Sequence, residues 1–303
     1  MLKPGLPVWR SLLYVPANVE KYIDKAHTRQ ADCIQLDLED SVPASEKDAA
    51  RRAVPDAARR VRRGGADVVV RVNSSMGVTI RDLDACICEE VDGIAVTKVQ
   101  SADHIREVDD RISALETARG LVPGRTRLIA MIESPSAFFE MRAIASASPR
   151  LAAMNIGGED FALETGMEPT EETLLMPKQQ MVFAARSAGI MPLGFIDTVA
   201  SFSDREAFAR MVRRSRAFGF LGAGCIHPDQ VPIVNQHYGP SATEVAWARR
   251  VVEGDAAQSA AGRGSWALDG KMIDAPVVVR AQRLLERHAA IELREARTTR
   301  KVT

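Results

Sequence analysis

The sequence predicts an α/β fold, a TIM-type (β/α)8 barrel followed by a C-terminal helical lid or tail. Three observations carry that prediction. Eight short apolar or β-branched runs recur along the first 226 residues, at 12–15, 33–38, 68–72, 93–97, 127–132, 152–156, 192–196 and 220–226. The stretches between them carry helical periodicity, the alternation expected of βα units. Several runs, Val68-Val69-Val70 among them, have too few polar positions for a strand with one wet face, which suits a parallel sheet covered on both sides. Eight units favour closure into a barrel, with an open doubly wound sheet as the alternative.

Taken in order, the connections bear this out. Ser45 opens a helix with Asp48 at the reciprocal position of a weak capping box, Pro55 cuts or kinks it, and Gly64-Gly65 ends it. The unit from Gly157 to Met191 is longer than the rest and holds an extra loop or short helix. Phe202-Ser203-Asp204 starts an amphipathic segment that Gly219 closes. After Ile226 the pattern breaks: a helix over 237–252, an Ala/Gly/Ser-rich linker over 254–264, then Ser265 to Asp274 and a last helix over 276–293. The polar end, 297–303, reads as frayed. The expected division is a catalytic barrel over 1–236 and a C-terminal extension over 237–303 that serves as lid, subunit contact or both.

Bulk composition narrows the function. The chain has 303 residues, 46% of them hydrophobic, with 40 basic and 40 acidic side chains. A net charge of zero and the lack of a basic stripe give no electrostatic footprint for nucleic acid. No run approaches the ~18 apolar residues of a membrane span, and residues 12–15, just after Arg10-Ser11, are too short for a signal h-region. Cys33, Cys86, Cys88 and Cys225 lack zinc spacing. Reduced thiols and a cytoplasmic location are expected, with a small molecule or another protein as partner.

In such a barrel the chemistry sits at the C-terminal ends of the strands. Reading those ends gives Asp37, Glu39 and Asp40 after the second run, Arg71 and Asn73 after the third, and Lys98 after the fourth. Glu133 follows the fifth, Gly157-Gly158-Glu159-Asp160 the sixth, Asp197 the seventh and His227 the eighth. Glu133 and Asp160 close adjacent strands, so their carboxylates can converge; without a cation one would have to take up a proton. Mg²⁺, which keeps water or substrate oxygens beside one or two carboxylates, resolves the repulsion. The competing reading makes Glu133 a helix cap and Asp160 a loop residue. Gly157 and Gly158 allow close backbone approach and leave N–H groups for an anion. Arg71 either pairs with the Asp37–Asp40 cluster or offers its fork to a substrate carboxylate or enolate oxygen, and both roles are compatible. Lys98 is a Schiff-base candidate or an ion-pair partner, His227 a general base or a packed orienting residue, and Cys225 a core residue.

Seven segments in order resemble the citrate lyase beta-subunit-like family. They are Arg10 to Pro16, Gln35 to Val42, Val70 to Asn73, Met131 to Ser134, Gly157 to Phe161, Cys225 to Val231, and Gly270 to Pro276. That family also holds malyl-CoA and citramalyl-CoA lyases and stands beside the HpcH/HpaI 2-keto-acid aldolases. The resemblance implies a barrel of the phosphoenolpyruvate/pyruvate-binding kind, assembled as a homotrimer or a multiple of it. It implies Mg²⁺ held by Glu133 and Asp160, and Arg71 on the keto-acid or thioester oxygen. Gly157, Gly158 and Glu159 would bind substrate, and Asp274 would be the acid that a neighbouring subunit contributes. Arg10 and Lys47 would support CoA phosphates or the acidic cluster of Asp37, Glu39 and Asp40. The implied reaction is retro-Claisen cleavage of a citryl-, malyl- or citramalyl-CoA-like 3-hydroxyacyl thioester to a 2-oxo acid and acetyl-CoA. Hydrolysis of the thioester on the same site, or service as an acyl-carrier-dependent citrate lyase subunit, are the alternatives; the Met-Ile-Asp tail points to free CoA esters. Ala17-Asn18, where many relatives have Gly-Asn, and the loop over 164–175 depart from the family pattern.

Overall fold

A computed structural model describes residues 2–198, 204–260 and 264–302. Eight parallel strands form one curled sheet: β1 (Ser11–Pro16), β2 (Cys33–Asp37), β3 (Asp67–Val72), β4 (Gly93–Val96), β5 (Arg127–Ile132), β6 (Leu151–Ile156), β7 (Met191–Pro192) and β8 (Ala223–Cys225). Their order, β7-β6-β5-β4-β3-β2-β1-β8, is sequential, as successive βα units require. The end strands meet at one bridge, Leu193 with Gly222, where the Leu221 N–H donates to the Pro192 carbonyl (3.0 Å) and the Gly194 N–H to the Gly222 carbonyl (2.8 Å). This is the (β/α)8 barrel, not an open sheet with two free edges. Its seam is thin for a local reason. Pro192 has no N–H to give and Gly194 sits at φ 131°, so the seventh run stops as a strand after two residues. Gly222 is obligatory at the seam: a Cβ there would lie 1.9 Å from the Trp9 carbonyl oxygen.

Around the strands lie α1 (Glu20–Ala26), α2 (Lys47–Val61), α3 (Met76–Cys86), α4 (Ala102–Ala118), α5 (Pro135–Ala145), α6 (Gly158–Thr165), α7 (Glu171–Ser187), α8 (Arg205–Ala217) and α9 (Gln230–His237). The predicted capping box at Ser45 does not form: a 3-10 turn precedes α2, whose N-cap, Glu46, makes no side-chain cap, and Asp48 pairs with Arg51 instead. Pro55 sits inside α2 without ending it. Asp204 caps α8 by accepting from the Glu206 and Ala207 N–H groups, while Phe202 and Ser203 lie outside the described residues.

Side chains alternate across each strand, and this places the site. One set, including Val68, Val70, Ile94 and Leu128, packs outward into the large core beneath the helices. The other, including Leu12, Cys33, Val69, Ile129, Met131 and Ala153, fills the barrel interior. Two residues beyond the interior set stand Gln35, Arg71, Glu133 and Asn155, which therefore share the inward face.

The chain divides between Tyr238 and Gly239 into two compact units. The second contains α10 (Ala242–Ala260), a hairpin of β9 (Trp266–Leu268) and β10 (Lys271–Ile273), and α11 (Ala275–Val302). Ala248, Val251, Ile273, Val278 and Ala281 form its core. Asp269 and Gly270 both adopt positive φ, the conformation a two-residue hairpin turn needs. Three expectations are corrected here. The helix expected from 237 begins at Ala242, the supposed linker is helical through Ala260, and the polar tail continues α11 to Val302. Among the described residues, no helix is long and apolar enough to cross a membrane.

Candidate active site

A cavity of about 950 Å³ opens at the C-terminal ends of the strands, lined by Arg71, Glu133, Asp160 and Lys178 among others. Glu133 is buried, and its Oε2 accepts the Lys98 N–H at 2.6 Å. Lys98 holds a left-handed backbone, φ 47°, a strained conformation for a side chain of this kind that aims its N–H at the carboxylate. The helix-cap reading of Glu133 fails, because Ser134 caps α5 by accepting the Ala137 N–H. Gly157 explains how the next strand end comes so close: a Cβ there would stand 2.6 Å from Glu133 Oε1. Lys98 Nζ lies 3.5 Å from Asp160 Oδ1 and 3.8 Å from Glu39 Oε1, so one ammonium serves carboxylates from two strand ends. That ion-pair role is the one the geometry gives Lys98.

Arg71 is tightly paired with the acidic loop, through four contacts against its five N–H donors. Its Nε and Nη2 each donate to Asp37 at 2.7 Å, and its Nη1 lies 2.9 Å from Glu39 and 3.0 Å from Asp40. The guanidinium also stacks over Tyr14, 5.0 Å from the ring centre. Asp37 is held in turn by the Ser41 hydroxyl and by the Glu39 and Ser41 N–H groups. The sequence-level ion pair with the acidic cluster is thus real, and the same Arg lines the cavity.

Electrostatics sharpen the picture. Burial, with Asp160 adding to it and the Lys98 N–H opposing, pushes the Glu133 carboxyl up to about 7. Glu39 rises to about 8, through burial and then Asp40 and Glu133, against the pull of Arg71. Burial would raise Asp37 too, but hydrogen bonds from Arg71 and Ser41 hold it below the usual carboxylate range. Lys98 is held above its ordinary value by Asp160, Glu39 and Glu133, against burial. Carboxyls this strained by desolvation and mutual repulsion fit a divalent cation. Among the described residues no three His, Cys, Asp or Glu side chains are gathered as a complete cage. Two carboxylates with open positions left for water or substrate oxygens are what a small hard cation uses.

Other predicted residues distribute unevenly. Gly158, Glu159 and Asp160 form the first turn of α6, which has no side-chain cap at Gly157, so N–H groups there remain for an anion. The Gly157 N–H is not one of them, since it donates to the Ile132 carbonyl (3.0 Å). Arg10 is corrected: it lies at the start of β1, on the opposite face of the barrel. There it pairs with Asp32 at 2.8 Å and donates to the Asn235 carbonyl at 3.3 Å. Lys47 donates to the Leu38 and Glu39 carbonyls, 2.9 Å each, and so braces the acidic loop through its backbone. His227 Nδ1 accepts the Asp229 N–H, a turn contact. Cys225 is core. Asp274 belongs to the second unit, where it caps α11. The sequence reading missed Tyr14, Gln35, Asn155 and Lys178, and a basic rim of Lys21, Lys25 and Arg29, all lining the cavity. The i, i+4, i+8 spacing of that rim was a signal available in the sequence.

Residues 10–228 match the HpcH/HpaI aldolase/citrate lyase family model, and the chain belongs to that family. It is 37% identical to citrate lyase subunit beta of Escherichia coli K12 over 292 residues, covering 94% of this chain and 95% of that one. It is 30% identical to the mitochondrial citramalyl-CoA lyase of Homo sapiens, over 90% of this chain and 83% of the relative. A crystal structure of protein CitE from Mycobacterium tuberculosis in complex with magnesium, acetoacetate and coenzyme A superposes with a TM-score of 0.74. It is 28% identical, and the match covers 94% of this chain and 99% of that one. The protein is an enzyme of the lyase class.

Proposed function

We propose that this chain is a Mg²⁺-dependent carbon–carbon lyase that cleaves a 3-hydroxyacyl-CoA thioester of the citryl, malyl or citramalyl kind to a 2-oxo acid and acetyl-CoA. The observation that carries this reading is that Glu133 and Asp160 meet at Lys98, the first at its backbone N–H and the second at its ammonium, beside Arg71 in one cavity. The presence of magnesium and coenzyme A with the Mycobacterium tuberculosis relative supports it. Glu133 and Asp160 would hold the ion, and Lys98 occupies the ground between carboxylates that a cation would neutralise. Bound there, Mg²⁺ polarises the substrate's hydroxyl and carboxylate oxygens and eases loss of the hydroxyl proton.

The chain's own residues do the rest. Arg71, fixed in orientation by Asp37, stabilises the charge that grows on the thioester oxygen as the bond between the hydroxyl-bearing carbon and the thioester α-carbon breaks. First-turn N–H groups of α6 orient a carboxylate oxygen. Lys21, Lys25 and Arg29 meet the phosphates of the coenzyme, one of the two roles the resemblance implied for Arg10 and Lys47. Asp274 from a neighbouring subunit delivers the proton that turns the enolate into acetyl-CoA. Exposed Phe139, Leu163, Met176 and Phe183 on α5, α6 and α7 support self-association, consistent with a homotrimer. The identity to a citrate lyase subunit favours a second reading, action on a carrier-bound thioester within a larger assembly.

The test is Glu133→Gln. Isothermal titration should give a much weaker Mg²⁺ affinity, and 2-oxo acid release should largely vanish while the circular dichroism spectrum stays unchanged. An unaltered Mg²⁺ affinity would remove Glu133 from the site.

A further inference from the structure

Lys178 is a buried charged group with no part in the chemistry above. It lies on α7 immediately after Pro177, is 5% exposed, and still lines the cavity. Its Nζ donates to the Asp197 carbonyl at 2.7 Å, in the loop that follows β7. An ammonium has three donors, and this contact uses one. No carboxylate lies within ion-pairing distance of it among the described residues. Burial lowers its pKa to about 8, with Asp197 and Glu159 opposing from further away. A buried ammonium without a counter-ion is costly, and the cost falls when a ligand anion supplies one.

Its position relative to the cation-type carboxylates is fixed by the paired glycines. A Cβ on Gly157 would meet Glu133, and a Cβ on Gly158 would stand 3.4 Å from Lys178 Nζ. Consecutive Cα atoms are about 3.8 Å apart, so the carboxylate and the ammonium flank a single dipeptide at the cavity wall. A 3-hydroxyacyl thioester bound as described above would use its carboxylate and hydroxyl at the cation that Glu133 and Asp160 would hold, and its thioester oxygen at Arg71. One substituent on the hydroxyl-bearing carbon is left over: hydrogen in malyl, methyl in citramalyl, carboxymethyl in citryl thioesters. Only the last matches an ammonium with open donors.

We propose that Lys178 is a specificity-determining residue that receives a second carboxylate, so that the preferred 2-oxo acid product is a dicarboxylate. This rests on the proposed lyase reading for its substrate, but a binding measurement tests it separately. Oxaloacetate and pyruvate, which differ in that carboxylate, are titrated calorimetrically into the Mg²⁺-loaded wild type, Lys178→Met and Lys178→Arg. The wild type should bind oxaloacetate at least about tenfold more tightly than pyruvate, the scale of one charge-assisted hydrogen bond. Lys178→Met should lose that preference and leave pyruvate affinity within about threefold, and Lys178→Arg should restore most of it. Equal affinities in the wild type would overturn the proposal, as would a Lys178→Met that weakens both acids alike, the mark of a mere anchor for the Asp197 loop. If Lys178→Met fails to fold, Lys178→Gln makes the same comparison. Failure of the lyase reading would appear instead as no 2-oxo acid from any of the three thioesters, with the oxaloacetate preference intact.

Discussion

Arg71 shows how much one inward position commits. Its strand carries Val69 into the barrel interior, so period-two alternation alone sends the guanidinium to the same face as Glu133. That much is legible in the sequence, as are Glu133 and Asp160, because strand ends and alternation suffice to place them. Arg71→Lys, which keeps the charge and loses the planar fork, should cut turnover at least about tenfold, near 1.4 kcal/mol of transition-state stabilisation. Steady-state kinetics check it: unchanged turnover and KM would leave Arg71 as only the partner of Asp37, Glu39 and Asp40. Lys178 was not legible. A lysine in a helix reads as solvated, and only the packing of α7 against the end of β7 buries it. Arg10 was misread for a different reason: it precedes the first run, which already puts it at the N-terminal end of the barrel, away from the strand ends that carry the site.

Elements were read well where hydrophobic period decided them and poorly where composition did. All eight strands were legible. The stretch after Gly254 reads as a linker because Ala, Gly and Ser are common there, yet Ala is the best helix former and α10 continues to Ala260. One inter-element tie was invisible in the sequence. Glu116, fully buried on α4, accepts from the Gly124 and Thr126 N–H groups (2.7 and 2.9 Å) and from Arg150 (2.7 Å), joining the helix to the start of β6. Burial opposes the charge, but the Arg150 and backbone hydrogen bonds win and hold Glu116 at about 2. A depressed carboxyl contributes stability that is complete above its unfolded value and fades as pH falls through the folded one. Glu116→Gln should therefore cost about 3 kcal/mol in denaturant unfolding near neutrality, the scale of breaking a buried pair. The gap between mutant and wild type should narrow from about pH 4.5 towards pH 2. A gap that is constant with pH would assign the loss to packing.

At the scale of the whole molecule, Asp274 tests the assembly. It caps α11, and Asn caps a helix about as well as Asp, so Asp274→Asn removes the acid and keeps the helix. This variant should bind Mg²⁺ normally and turn over poorly. Mixing it with inactive Arg71→Ala subunits should restore some activity, since mixed oligomers hold sites with both groups intact. Failure of complementation in verified mixed oligomers would place Asp274 outside a shared site. The most direct measurement of the reaction itself is product analysis of the intact protein with Mg²⁺ and citryl-, malyl- or citramalyl-CoA. At least one ester should yield a free 2-oxo acid and acetyl-CoA in equal amounts. Free coenzyme A with the hydroxy acid would mean hydrolysis, and no conversion of any of the three would contradict a lyase of free CoA thioesters.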